Sequence, residues 1–305
     1  MNPEPQAVES IPNFMIIGAA KSGTTTLFDL LKQHPQVYLP YRKEPMFFSH
    51  DDNFINGFSW YLRTYFKKAD IFKARGEATP HYLYWSVKTA PRIKDAFGDR
   101  NIKFLIILRD PVQRAYSWYL NMLQEGMEDL SFMNALQSEQ DRIKDNWAEL
   151  YRTGSMAFGY FRGGAYASLL RPFLDLFPIN AFHFLKVDDL VSQFDLTIRT
   201  LFNFLDLDPN VTIKLIKSNP ASMPQSRRLH TLFHQRSKLK EIAKPFIPED
   251  IRYRIKEWAI QSNLKPLSTS KLDIQVENEL RLRFKPEVME LESIIRQDLS
   301  AWLPK

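Results

Sequence analysis

The chain has 305 residues, of which 44% are hydrophobic and 13% aromatic, enough for one large α/β core. It contains no cysteine, which excludes disulfides, thiolate metal sites and a cysteine nucleophile. The net charge of +6 is concentrated in one place: residues 214 to 244 carry eight Lys/Arg against Glu241, a local +7. Such a run reads either as a solvated face or as a surface for an anionic nucleotide, nucleic acid or glycan.

Residues 1 to 10 read as a tail, and 11 to 305 as a single domain without repeats, low-complexity tracts or Gly/Ser linkers. The tail lacks a basic region followed by an apolar core, and no apolar run reaches membrane-spanning length. A soluble, cytoplasmic protein is the expectation. Asn210-Val-Thr matches a glycosylation sequon, which in an unexported chain carries no meaning.

The first element is Phe14-Met-Ile-Ile-Gly-Ala-Ala-Lys-Ser-Gly-Thr-Thr-Thr-Leu27, an apolar strand near 14 to 18 that enters a small-residue turn and continues as a helix over 24 to 33. Backbone N–H groups of the turn and the positive end of the helix point at one spot, within reach of Lys21 and the hydroxyls of Ser22, Thr24, Thr25 and Thr26. This is the layout of an anion cradle, although a lysine in a Gly/Ser/Thr loop is equally a solvated turn. In the nucleotide-kinase loop G-x-x-x-x-G-K-[ST] the lysine follows the second glycine; here Lys21 precedes Gly23 by two residues.

Tyr41-Arg-Lys-Glu-Pro-Met-Phe-Phe48 places Lys43 and Glu44 before a proline, hence on extended or turn backbone. Glu44 is a candidate general base, with Phe47 and Phe48 to desolvate it; the bland alternative is a surface Lys/Glu pair. A helix near 56 to 66, a short strand around 75 to 78 and a helix over 86 to 96 follow. His81 is either a site group or an ordinary hydrogen-bonded histidine. Trp60, Tyr82, Tyr84, Trp118 and Tyr166 are either a stacking platform for an acceptor or core.

The strand predicted over 103 to 108 belongs to Phe104-Leu-Ile-Ile-Leu-Arg-Asp-Pro-Val-Gln-Arg-Ala-Tyr-Ser-Trp-Tyr119, in which Pro111 opens a helix over 112 to 123. Asp110 invites a Mg-nucleotide reading. Yet the strand ends on Arg109, whose guanidinium can fork onto a phosphate while Ser117, two turns along the helix, adds a hydroxyl. The alternative for Arg109 is an ion pair with a nearby carboxylate. Residues 130 to 176 read as helical, 181 to 187 as a buried strand and 195 to 205 as a helix; a loop spans 209 to 228, and helices are predicted over 229 to 243, 248 to 261 and 283 to 296. The alternation argues an α/β fold with a central parallel sheet, helices on both faces and extra C-terminal helices, with ligands at the carboxyl ends of the strands.

The order K-S-G-T-T at 21 to 25 resembles the 5′-phosphosulfate loop of sulfotransferases that use 3′-phosphoadenosine 5′-phosphosulfate (PAPS), a branch of the P-loop fold. R-D-P-x-x-R-A-x-S from Arg109 to Ser117 is similar to their 3′-phosphate motif, and K-E-x-x-F-F at 43 to 48 looks like the base-bearing segment of the heparan-sulfate-type glycan branch. Gly57-Phe-Ser-Trp-Tyr61, Gly76-Glu-Ala-Thr-Pro-His-Tyr82, Gly164-Ala-Tyr166 and Asp298-Leu-Ser-Ala-Trp302 extend the resemblance over nearly the whole chain. It implies a bacterial-type enzyme that moves a sulfuryl group from PAPS to a hydroxyl or amine of a carbohydrate or glycolipid acceptor, without a metal, and releases 3′-phosphoadenosine 5′-phosphate (PAP).

The resemblance further implies that Lys21 stabilises the leaving oxygen and that Ser22, Gly23, Thr24, Thr25 and Thr26 hold the 5′-phosphate. Arg109 and Ser117 would hold the 3′-phosphate, with Arg227 and Arg228 in a closing basic loop. Glu44 would be the base, and Lys43, His81, Tyr82 and Tyr166 would face the acceptor. Two departures stand out. Gln-Ser-Arg-Arg at 225 to 228 replaces a K-G-R form, and Glu77-Ala78-Thr79-Pro80 lacks the lysine that often follows the glutamate. A Mg-ATP phosphotransferase and a non-catalytic nucleotide- or anionic-polymer-binding protein are the competing readings; nucleic acid is not the expected partner.

Overall fold

The computed structural model describes residues 10–144, 154–215, 222–224, 264–266 and 272–304. Its centre is set by two apolar runs without polar alternation, the signature of strands buried on both faces. They form β1 (Phe14–Gly18), buried at all five positions, and β4 (Lys103–Leu108), buried at five of six. With β2 (Val37–Tyr38), β3 (Ala74–Ala78) and β5 (Phe182–Lys186) they make one sheet of order β2-β3-β1-β4-β5. Every neighbouring pair is parallel, with Phe14 opposite both Gly76 and Lys103, and Phe104 opposite Phe182. Parallel pairing brings the carboxyl ends of β1, β3 and β4 to one edge, where the loops after Gly18, Ala78 and Leu108 begin.

Each connection supplies a helix. These are α1 (Thr24–Leu31), α2 (Asp51–Phe54), α3 (Phe58–Tyr65), α4 (His81–Tyr84), α5 (Ser86–Phe97), α6 (Pro111–Gln124), α7 (Phe132–Gln137), α8 (Glu139–Lys144), α9 (Tyr166–Leu174), α10 (Val187–Ser192), α11 (Phe194–Phe204) and α12 (Ile274–Ile295). One sheet face presents Phe14, Ile16, Leu105 and Ile107 to Leu27 and Leu31 of α1 and to Ile198, Leu201 and Phe202 of α11. On the other face Phe104 packs its ring against Phe173 of α9 at 5.5 Å and Phe177 at 4.8 Å. Each such side chain removed from water contributes roughly 1.5–3 kcal/mol. Gly76 is needed where β3 passes β1: a Cβ there would lie 2.4 Å from the Phe14 ring.

The α/β architecture matches the sequence reading, with specific differences. The described residues between 130 and 176 form α7, α8, two 3-10 turns (Gly154–Phe158 and Arg162–Gly164) and α9 rather than continuous helix. The last helix starts at Ile274, nine residues before the expected 283. Asp273 caps it by accepting the Gln275 N–H at 2.7 Å, and Pro286 sits inside it. The helices expected over 229 to 243 and 248 to 261 lie outside the described residues.

By its internal contacts the chain divides into two compact units, 1–115 with 161–218 and 278–305, and 116–160 with 219–277. The second is inserted in two segments, so no linker composition marks it. Within it, the buried Glu128 carboxylate accepts hydrogen bonds from Arg142 at 2.6 Å and Tyr160 at 2.5 Å and from the Asp129 and Leu130 N–H groups. Trp118 Nε1 donates to the Met156 and Ala157 carbonyls, and β6 (Ser222–Pro224) pairs antiparallel with β7 (Leu264–Pro266). Among the described residues no helix is long and apolar enough to cross a membrane.

Candidate active site

The loop between β1 and α1 is built on Gly23, whose φ of +96° favours glycine and whose added Cβ would meet Ile107 Cδ1 at 3.3 Å. Lys21 also has left-handed backbone, at φ +66°. The loop is tied down by Ala19 N–H donating to the Ile107 carbonyl at 2.9 Å and by Ser22 N–H to the Ala19 carbonyl at 3.2 Å. Helix α1 opens with no side-chain cap hydrogen bond and no acidic residue in its first turn, so no carboxylate of that turn occupies its N-terminal N–H groups. Ser22 and Thr24 are buried at the loop, and Thr25 is exposed. Lysines, hydroxyls and a helix N-terminus form a donor set suited to a phosphate or phosphosulfate.

Lys43 reaches this cradle. Its ammonium donates to Thr25 Oγ1 at 2.8 Å and Thr24 Oγ1 at 3.3 Å, and pairs with Glu44 Oε1 at 3.4 Å. Burial lowers the Lys43 pKa, and the Glu44 charge opposes that shift. Glu44 itself is held with φ +61°, an uncommon conformation for a non-glycine residue. Its N–H donates to the Ala78 carbonyl at 3.0 Å, which pins the 43–48 loop to the carboxyl end of β3. Phe47 and Phe48 are fully buried in an aromatic cluster with Phe54, Phe58 and Tyr61.

Below this loop lies a carboxylate whose importance sequence reasoning missed. Glu77 is fully buried in β3 and accepts hydrogen bonds from Thr79 Oγ1 at 2.6 Å, Tyr82 OH at 2.7 Å and Tyr61 OH at 3.1 Å. Burial pushes its pKa up to about 7; the three hydroxyl donors offset part of that shift and the Glu44 charge adds to it. Only the motif position of Glu77 is visible in sequence, because its hydroxyl partners converge through tertiary folding.

Tyr82 is therefore a holder of Glu77, and its ring is enclosed, with no face open to an acceptor. His81 is buried at the first position of α4. Tyr84 and Trp118 are also enclosed, as core aromatics. Tyr166 is buried behind the anion loop: its hydroxyl donates to the Arg109 carbonyl at 3.0 Å and lies 3.5 Å from Ser22 Oγ. It thus joins the loop after β1 to the loop after β4.

Arg109 follows β4 directly, and α6 carries Ser117 in its second turn; Arg109 belongs to the first compact unit and Ser117 to the second. Asp110 is accounted for locally. Its Oδ1 accepts the Val112 and Gln113 N–H groups at 2.9 and 3.2 Å, and its Oδ2 pairs with Arg281 at 2.9 Å. That makes it a helix cap in an ion pair, not a carboxylate open to Mg. Among the described residues no group of three or more His, Asp or Glu side chains has a metal-ligand arrangement. Arg227 and Arg228 lie outside the described residues.

The sulfotransferase domain family model matches residues 12–262. Heparan sulfate glucosamine 3-O-sulfotransferase 5 of Mus musculus is 30% identical over 67% of this chain and 56% of that protein. The membrane-associated sulfotransferase kil1 of Dictyostelium discoideum is 25% identical over 65% of this chain and 56% of that protein. The chain thus spans little more than half the length of these curated relatives. A crystal structure of a sulfotransferase from Alicyclobacillus acidocaldarius superposes with a TM-score of 0.68 and 27% identity, covering 96% of this chain and 99% of that one.

Proposed function

This chain belongs to the sulfotransferase domain family, and we propose that it transfers a sulfuryl group from PAPS to a hydroxyl or amine of a carbohydrate or glycolipid acceptor, releasing PAP. The observation that carries this reading is the placement of Lys43, which touches both the threonines of the anion loop and the carboxylate of Glu44. One cation joins the donor cradle to the candidate base. The similarity to heparan sulfate glucosamine 3-O-sulfotransferase 5 supports a glycan acceptor.

When bound, PAPS supplies an activated sulfuryl group. As the acceptor oxygen forms its bond to sulfur, the bond between sulfur and the phosphate oxygen breaks and its electron pair leaves with PAP. Lys21 stabilises that leaving oxygen, while Ser22, Gly23, Thr24, Thr25 and Thr26 hold the 5′-phosphate. Glu44 takes the proton of the attacking group, and Lys43 steadies both the cradle and the carboxylate. Arg109 is assigned to the 3′-phosphate, as Ser117, Arg227 and Arg228 are by their motif positions alone; Tyr166 keeps the two binding loops in register. The acceptor lies beyond Glu44, near His81. The cytoplasmic setting belongs to the same proposal, and a cysteine-free chain is compatible with it.

Transfer of labelled sulfate from PAPS to a panel of glycans, glycolipids and phenols tests this reading. The expected result is chelator-insensitive transfer to at least one sugar acceptor, lost in Lys21→Ala and reduced on the order of 10²–10⁴-fold in Glu44→Gln with PAP binding retained. Transfer of phosphate from Mg-ATP instead would overturn it.

A further inference from the structure

Three backbone N–H groups strap the loop that bears Glu44 to the elements behind it. Glu44 N–H donates to the Ala78 carbonyl at 3.0 Å, Met46 N–H to Thr79 Oγ1 at 3.4 Å, and Phe48 N–H to Tyr82 OH at 3.4 Å. Two of these acceptors are hydroxyls, which can either give or take a hydrogen bond. What fixes their direction is the carboxylate behind them: Thr79 and Tyr82 both donate to Glu77, so each turns a lone pair to the loop. Tyr61 completes the set from α3.

On the reading that Glu44 is the base, we propose that Glu77 is a positioning residue: its ionised carboxylate orients the Thr79 and Tyr82 hydroxyls so that they hold the Met46 and Phe48 amides and thereby aim Glu44. A neutral Glu77 would itself carry a proton to donate, and at least one of the three hydroxyls would lose its acceptor and reorient. With Glu77 charged, all three hydroxyls donate to it and both strap acceptors keep a lone pair for the loop; with Glu77 neutral, that arrangement is no longer imposed.

The ionisable groups that face Glu77 are Tyr61 from α3, Tyr82 from α4 and Glu44 from the loop. Both tyrosines are pushed well above their usual range, by burial first and then by the Glu77 charge, so neither ionises near neutrality. Glu44 repels a charge on Glu77 and is itself paired with Lys43. With the Glu77 pKa at about 7, the strap loosens as pH falls through neutrality. A buried carboxylate held by hydroxyls costs stability, and the aiming of Glu44 is what that cost supports.

The test follows amide hydrogen exchange at Met46 and Phe48 in the whole protein, on both sides of neutrality, beside steady-state kinetics. In wild type, protection of both amides should fall as pH drops through about 7. Glu77→Gln, which mimics the neutral acid, should show the low-pH exchange at every pH, and kcat should fall on the order of 10- to 100-fold with little change in KM for PAPS. The acid limb of the kcat profile should disappear with it. Thr79→Val and Tyr82→Phe, should Glu77→Gln fail to fold, should each release one amide, Met46 and Phe48 respectively. Amide protection that ignores pH and both hydroxyl deletions overturns the proposal. So does a folded Glu77→Gln enzyme with an unaltered pH profile. If wild type transfers no sulfuryl group at all, the functional reading fails while the exchange data still decide the strap.

Discussion

The Lys43 ammonium donates to Thr25 Oγ1 over 2.8 Å, which places a loop lysine 18 residues away in sequence on the threonine cradle at the start of α1. Because the same ammonium meets Glu44, removing it affects both donor and base. Lys43→Met keeps the length of the side chain and is expected to weaken PAP binding and to lower kcat on the order of 10²-fold. Burial lowers the Lys43 pKa, so its charge is lost at lower pH than that of a free lysine. Activity should accordingly fall on the alkaline side in wild type, and that limb should be absent in Lys43→Met; calorimetry and a pH–rate profile check both.

Gly23→Ala tests the shape of the anion loop. A left-handed alanine costs about 1–2 kcal/mol in backbone energy alone, and its Cβ would crowd Ile107. Denaturant unfolding should show a loss of that order, together with weaker PAP binding. Unchanged stability and affinity would mean that the loop does not need this conformation.

Asp110→Asn separates the two nucleotide readings. Asparagine caps a helix as well as aspartate does, so the cap on α6 survives and only the ion pair with Arg281 is lost. Both side chains of that pair are mostly buried, so the loss should exceed that of an exposed pair, on the order of 1–3 kcal/mol, with sulfuryl transfer retained. Loss of turnover with a new dependence on added Mg would restore Asp110 as a metal ligand.

The framework that carries this site was legible in the sequence. β1 and β4 announce themselves as apolar runs without alternation, and each is followed by a helix start that the sequence marks, at Gly23-Thr24 and at Pro111. The partners of Glu77 were not legible, because Tyr61, Thr79 and Tyr82 meet it only once α3, β3 and α4 are packed. The contact of Lys43 with Thr25 was not legible either, because adjacency to Glu44 does not show which way a side chain turns. Tyr82 has the composition of a stacking residue and the burial of a core one. The start of α12 was hidden by Pro286, since a proline inside a helix reads in sequence as a boundary.

Stability should depend on pH through Glu77. Its pKa is raised in the folded state from 4.5 to about 7, so the stability it contributes is fully present below pH 4.5 and is lost as pH rises through about 7. Glu77→Gln removes that titration, and the melting temperature of wild type relative to the variant should decline across this window. Parallel stability curves would show that Glu77 titrates as an ordinary carboxylate.

The most direct test of the donor site is calorimetric binding of PAP against ADP, with and without Mg, to wild type and to Arg109→Ala. PAP should bind without metal and better than ADP, and Arg109→Ala should weaken PAP on the order of 10- to 100-fold while leaving ADP nearly unaffected. Binding of Mg-ADP equal to or tighter than that of PAP, indifferent to Arg109, would contradict the assignment of a PAPS site.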